Sequence, residues 1–433
     1  MSHVQLPVEQ NSGVIEEVSA SLVEDDIQVS RYPSLRATAS SPVAEVIALE
    51  KMGFHDCTSS VLPPTRSHSQ VTIQSLVKTK DTKLLDHEAE QLMDMGFPRG
   101  LALEMGTTRS LFPVRFWIVD NSGSMLTNDG STLRGSTAIT CTRWAELEET
   151  VNFHAEFAAV VEATSVFRLL NDPGPRAESS EFSVGGGGRA KFAEDEIQTA
   201  KRIMRACQPT GPTPLTAHIY EIANRVSVMA DEMMTKGLKA VLILATDGLP
   251  TTREGVNSKA ANDEFIRALR QLQTLPIWLV VRLFTNEEEV VEFYNGLDAQ
   301  LEMNLEVLDD FVNEGKEIYR HNRWLNYARP IHTCREMGYQ NRIFDLIDER
   351  PLNQDEVYEF CVMLFGMAFA KACDRNENWS KVLDTIERFL GREQKHLNPV
   401  SKKMEPLINL KKLRTQFATG IIGKLKRASW TSE

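Results

Sequence analysis

The chain contains 433 residues, of which 42% are hydrophobic and 25% are charged, and its formal net charge is −12. The composition is ordinary for a globular protein, and the negative charge argues against nucleic acid as a partner, because phosphate binding needs clustered Lys and Arg. No apolar run approaches the ~20 residues that a membrane-spanning helix needs, so we expect no membrane-spanning segment.

The amino-terminal sequence and the cysteines both favour a location inside the cell. The first residues lack the basic start and the apolar core of a secretory signal. The six cysteines are scattered without any C-x-x-C spacing, which is typical of reduced thiols rather than of a disulfide framework. We therefore expect a cytoplasmic protein.

The amino-terminal segment, residues 1–80, is acidic, rich in Ser and Thr and interrupted by prolines. Such a segment has too few apolar residues to form a core, so we predict that it is largely disordered. One short helix is predicted within it, at 43–52.

Two short helical patterns occupy residues 84–110 and meet at a Met-Gly-Phe loop. Residues 88–105 resemble the first two helices of a ubiquitin-associated domain, in which such a loop contacts ubiquitin. By that resemblance Met95, Gly96 and Phe97 are candidate ubiquitin contacts, and the protein would be a ubiquitin-pathway adaptor. We favour the plainer alternative, a helical hairpin packed on the next domain, because short motifs are weak predictors and no third helix follows.

Apolar runs alternate with helical patterns between residues 112 and 325. Five runs have the length and residue types of buried strands, at 114–119, 166–170, 240–245, 275–284 and 305–308. Between them, apolar residues recur at helical spacing near 144–158, 194–206, 214–235 and 258–272. This alternation predicts an α/β domain with a doubly wound, mostly parallel sheet that is covered by helices on both faces.

The strand patterns stop near residue 330, and residues 330–433 are predicted to form a helical extension. A capping motif at Asn353 opens one helix, and others are predicted at 379–390 and 406–427. The end of this extension is basic, with eight Lys or Arg against two Glu from residue 401 onwards. A basic tail with apolar residues can bind an acidic membrane surface, but we expect its apolar stripe to pack on this protein instead.

Oxygen-bearing side chains follow two of the predicted strands. Asp120, Ser122 and Ser124 come directly after the first strand, Asp247 follows the most apolar strand, and Thr213 lies in a Pro-rich loop between them. Ligands of α/β sheets bind outside the carboxyl ends of the strands, and Mg²⁺ prefers oxygen ligands. Each residue taken singly also fits a turn, a strand end or a helix cap. Their joint occurrence predicts a Mg²⁺ site.

Together these residues resemble the metal-ion-dependent adhesion site of von Willebrand factor A-type domains. The matching motifs are D-x-S-x-S, then G-x-T-x-L, then T-D-G, in this order over about half of the chain. The resemblance implies a Rossmann-like fold that binds Mg²⁺ or Mn²⁺ through Ser122, Ser124 and, once a partner is bound, Thr213. Asp120 and Asp247 would act mainly through water, and an acidic side chain of a protein partner would complete the coordination.

These features predict a non-enzymatic, intracellular scaffold or adaptor without catalytic residues. A Mg²⁺-dependent hydrolase is the less favoured alternative, because the motif loops offer no second carboxylate beside Asp120 and only Arg253 as a cation. The motif is followed by an insertion at 125–141. We expect this insertion to border the metal and to tune or cover it.

Overall fold

The computed structural model describes residues 83–134, 137–186 and 190–418, all of which belong to one compact unit. The predicted disorder at 1–80, the helix at 43–52 and the end of the basic tail beyond residue 418 lie outside the described residues. Among the described helices, none is both long and apolar enough to cross a membrane.

A six-stranded sheet forms the centre of the molecule, in the order β5-β4-β1-β6-β7-β8. All neighbouring strands run parallel except β5, an antiparallel edge strand. The bounds are β1 Val114–Val119, β4 Thr164–Leu169, β5 Glu181–Val184, β6 Ala240–Thr246, β7 Ile277–Leu283 and β8 Leu305–Leu308. The prediction of a mostly parallel α/β sheet is confirmed, and the fold is consistent with a Rossmann-like architecture.

In the part of the chain that the structure describes, two further strand pairs lie outside this sheet. The insertion forms an antiparallel hairpin of β2 Gly130–Arg134 and β3 Thr137–Cys141. A minimal pair, β9 His396–Leu397 and β10 Met404–Glu405, lies near the carboxyl end of the described chain.

Helices cover the sheet on both faces because successive strand residues alternate between two apolar layers. Trp117 and Val119 pack with α3 Arg143–Val160 and α4 Ala190–Ala206. Phe116 and Ile118 pack on the opposite face, with α5 Leu215–Ser227 and α7 Lys259–Leu272. The remaining helices of this part are α6 Ala230–Thr235, α8 Glu288–Asn295 and α9 Phe311–His321.

Six helices follow the sheet domain within the described residues up to 418. They are α10 Arg329–Glu336, α11 Arg342–Ile347, α12 Gln354–Phe365, α13 Met367–Ala372, α14 Trp379–Leu390 and α15 Leu410–Gln416. The predicted cap of Asn353 is present, since its side chain accepts from the Glu356 amide. Helix α10 is joined to the sheet by a buried ionic cluster, in which Arg282 of β7 donates to Glu336 at 2.8 Å and to Glu146 of α3 at 3.1 Å.

The helical hairpin before the sheet consists of α1 Asp86–Asp94 and α2 Arg99–Leu111. Its apolar side chains belong to the same buried cluster as those of the carboxyl-terminal helices. Gly100 brings α2 against the end of α12 so closely that a Cβ at this position would lie 2.4 Å from the Met363 carbonyl oxygen. The hairpin is therefore an integral part of the core.

Candidate metal centre

Three loops meet at the carboxyl ends of β1 and β6. The two strands are neighbours, and the Asp120 amide continues their pairing by donating to the Ala245 carbonyl at 2.9 Å. The loop that precedes α5 is fastened to the first loop by two backbone hydrogen bonds, from Gly123 to Gly211 at 3.1 Å and from Thr210 to Asn121 at 2.8 Å. The structure thus brings the loops of all five predicted metal ligands to one edge of the sheet.

Asp120 organises the first of these loops. Its side chain is completely buried. One carboxylate oxygen accepts from the Ser122 amide at 2.8 Å, and the other accepts from the Thr246 hydroxyl at 2.6 Å. These bonds hold the turn that carries Ser122 and connect it to the end of β6. Asp120 therefore organises the loop and does not merely mark the end of β1.

The two serine hydroxyls lie at a spacing that suits a small cation. Ser122 Oγ is 3.0 Å from Ser124 Oγ, and Ser124 Oγ donates to an Asp247 carboxylate oxygen at 2.8 Å. With Mg²⁺–oxygen distances of about 2.0–2.1 Å, adjacent ligands of an octahedron lie about 2.9 Å apart. The Ser122–Ser124 and Ser124–Asp247 distances are those of hydrogen bonds, and they also match the separation of adjacent ligands around Mg²⁺.

Thr213 is placed on the same side of the site. A Cβ at Gly248 would lie 3.6 Å from Thr213 Oγ1, so this hydroxyl faces the residue that follows Asp247. Thr251 holds the backbone of Thr213 by two hydrogen bonds of 3.0 Å: the Thr213 amide donates to the Thr251 hydroxyl, and the Thr251 amide donates to the Thr213 carbonyl. Helix α5 has Pro214 as its N-cap and no side-chain cap, so Thr213 does not serve as a helix cap.

The site carries a surplus of negative charge. Burial and the neighbouring Asp247 carboxylate raise the pKa of Asp120 from 3.8 to about 6, despite hydrogen bonds from Thr246 and Ser122. Burial also raises the pKa of Asp247, although Ser124 and Arg143 donate to it. A divalent cation would stabilise both carboxylates in their charged form.

Sequence reasoning missed Arg143, the first residue of α3. Its guanidinium, with only 3% of the side chain exposed, donates to the Asp247 carboxylate at 3.0 Å. A cation at a helix amino terminus is disfavoured by the helix dipole. A buried anionic partner compensates for that cost. An Arg directly after the Thr142 cap was therefore the one local feature of the sequence that pointed to such a partner.

The donor set fits a hard cation. Within the described parts of the chain, no group of three or more His, Cys, Asp or Glu side chains is placed to hold a metal. The centre instead offers two carboxylates and hydroxyls, which suit Mg²⁺ with several retained waters and do not suit Zn²⁺, whose sites use His and Cys.

The candidate ubiquitin contacts lie elsewhere. Gly96 follows the C-cap of α1 with a φ of +103°, and Met95 lines a separate cavity of about 540 Å³ beside α1. Phe97 is only 1% exposed, and its ring packs 5.7 Å from that of Phe157 on α3. The aromatic ring of the Met-Gly-Phe loop is therefore part of the core.

No protein-family model matches this chain, and a search of the curated proteins finds no match either. The fold alone does not indicate a function, because Rossmann-like α/β sheets serve many. The resemblance to von Willebrand factor A-type domains rests on the sequence motifs.

Proposed function

We propose that this chain is a von Willebrand factor A-type interaction protein that binds a protein partner through one divalent cation, Mg²⁺ or Mn²⁺. Asp120, Ser122, Ser124, Thr213 and Asp247 would hold the cation. The observation that supports this most is the convergence of three separate loops, with hydroxyl and carboxylate oxygens 2.8–3.0 Å apart, at the carboxyl ends of two parallel strands.

The contacts of these residues indicate different roles in holding the cation. Ser122 and Ser124 present neutral hydroxyls, while both oxygens of Asp120 are engaged in holding the loop. When bound, the cation would supply positive charge that attracts a carboxylate, because neutral ligands leave its charge largely uncompensated. Ser124 is exposed to solvent, so an acidic side chain of a partner can reach the site where Ser124 faces the solvent.

The two alternatives have weaker support. Phe97, the central contact of a ubiquitin-associated domain by resemblance, is buried. Phosphate hydrolysis would need a cationic group free to bind the phosphate, but the guanidinium at the site, that of Arg143, is paired with three carboxylates. Ubiquitin binding and Mg²⁺-dependent hydrolysis remain predictions without an observation in their favour.

Thermal unfolding with Mg²⁺, with Mn²⁺ and with a chelator tests the metal. We expect either cation to raise the melting temperature of the wild type, because a ligand that binds the folded state stabilises it. Asp120→Ala should abolish this rise, whereas Asp263→Ala, at an exposed aspartate on α7, should keep it. An equal metal response in both variants would overturn the proposed site.

An affinity pull-down from cell extract tests the partner. The wild type should retain a protein in Mg²⁺ that is released by chelator and absent with Asp120→Ala. Retention of the same proteins by both chains, independent of the chelator, would show that recognition does not use the metal.

A further inference from the structure

Arg143 joins the candidate metal centre to two other parts of the molecule. Besides Asp247, its guanidinium contacts Asp129 at 2.7 Å and Glu287 at 3.0 Å. Asp129 directly precedes the hairpin and is 44% exposed, and Glu287 directly precedes α8 and is 62% exposed. Asp247, in contrast, has no exposed side-chain surface. The one buried carboxylate of this cluster is thus the one that belongs to the metal centre.

The contact with Asp129 is bidentate and fixes the base of the β2–β3 hairpin. Arg143 Nε donates to Asp129 Oδ1 at 2.8 Å, beside the 2.7 Å contact of the second nitrogen with Oδ2. The Arg143 amide also donates to the Thr127 carbonyl at 3.0 Å, and the Ser131 amide donates to Glu146 of α3 at 2.8 Å. The insertion is therefore attached to the first turn of α3, whose Arg143 contacts Asp247.

Arg143 is held as a permanent cation. A guanidinium stays protonated in proteins, and this one donates hydrogen bonds to the carboxylates of Asp129, Asp247 and Glu287. The guanidinium donates to Asp247 Oδ2, whereas Ser124 donates to Asp247 Oδ1. A divalent cation beside Ser124 and this guanidinium would share the same carboxylate.

We propose that the positively charged side chain of Arg143 competes with the divalent cation for the Asp247 carboxylate, and that Asp129 of the insertion sets the strength of this competition. The inference rests on the proposed metal function. Two cations that share one carboxylate repel each other, so Arg143 lowers the affinity of the centre for metal. Asp129 neutralises part of the charge of Arg143 and thereby raises that affinity.

Mn²⁺ titrations of purified variants by isothermal calorimetry test this inference. Arg143→Gln keeps a donor for Asp247 but removes the charge, so Mn²⁺ should bind about ten-fold more tightly. Arg143→Lys keeps the charge and should stay near the wild type. Asp129→Asn leaves more of the charge of Arg143 uncompensated and should weaken Mn²⁺ binding several-fold. Arg267→Gln, at an exposed arginine on α7, controls for net charge and should change nothing.

The opposite signs separate competition from a structural role. If Arg143 merely scaffolds the site, Arg143→Gln and Asp129→Asn both weaken binding, and the inference is overturned while the metal site stands. Unchanged affinity in Arg143→Gln overturns it equally. Should the wild type bind no Mn²⁺, the proposed function fails and the inference fails with it. If Arg143→Gln does not fold, Arg143→Lys decides, because Lys keeps the charge but not the bidentate contact with Asp129: affinity near that of the wild type supports competition, and weaker binding overturns it.

Discussion

Asp120→Asn should stabilise the metal-free protein at neutral pH. The buried carboxylate has a pKa of about 6 against an ordinary 3.8, so its charged form is disfavoured in the folded state. This difference corresponds to at most about 3 kcal/mol above pH 7. Asparagine has the same shape, still accepts from the Ser122 amide and removes the charge, and the Thr246 hydroxyl can turn to accept from the new side-chain amide. We expect a gain of roughly 1–3 kcal/mol in the free energy of unfolding.

The pH dependence of this gain follows from the sign of the shift. Because the pKa of Asp120 is raised by folding, the folded chain binds the extra proton between pH 3.8 and about 6. Stability of the wild type therefore falls as pH rises through this window, and the advantage of Asp120→Asn should shrink to about 1 kcal/mol at pH 4.5.

Urea unfolding with chelator present, at pH 7.5 and at pH 4.5, measures both values. Asp263→Asn, on the exposed face of α7, should lie within about 0.5 kcal/mol of the wild type and serves as the control. Mg²⁺ should then stabilise the wild type and leave Asp120→Asn unchanged. If Asp120→Asn is less stable than the wild type at pH 7.5 without metal, the surplus of negative charge at the site is refuted.

Two further predictions concern the core. Gly100→Ala should lower the free energy of unfolding by about 2 kcal/mol, because the new methyl group would lie 2.4 Å from backbone atoms at the end of α12. Gly391→Ala, whose Cβ would meet nothing closer than 3.6 Å, should be neutral in the same thermal unfolding assay. Burial lowers the pKa of His332 to about 3, so the unfolded chain binds an extra proton between about pH 6.5 and 3 and stability falls as pH drops through this window. His332→Gln should flatten this acid-side slope by up to about 1.4 kcal/mol per pH unit, and an unchanged slope in urea unfolding from pH 7 to 4.5 would contradict that origin.

The sheet could be predicted because its strands are short, apolar and separated by helices. The run 305–308 coincides with β8, and 240–245 falls short of β6 by one residue. The positions of Asp120 and Asp247 at strand ends then predicted their proximity, since parallel neighbours end at the same edge.

Long-range contacts account for what the sequence did not predict. Arg143 and Asp247 are 104 residues apart, and no local pattern pairs them. The predicted helix at 214–235 is two helices, α5 and α6, interrupted at residues 228 and 229, although the apolar spacing continues through the break. A Met-Gly-Phe loop has the same sequence whether its ring binds a partner or, as for Phe97, fills the core.

The central claim is that hydroxyls on converging loops hold one divalent cation. Mn²⁺ titration followed by electron paramagnetic resonance measures this directly, because protein-bound Mn²⁺ loses the signal of the free ion. We predict one bound Mn²⁺ per chain in the wild type and in the control Ser227→Ala, at the exposed end of α5, and none in Ser122→Ala/Ser124→Ala. Binding of Mn²⁺ by the double variant with unchanged affinity and stoichiometry would contradict the account.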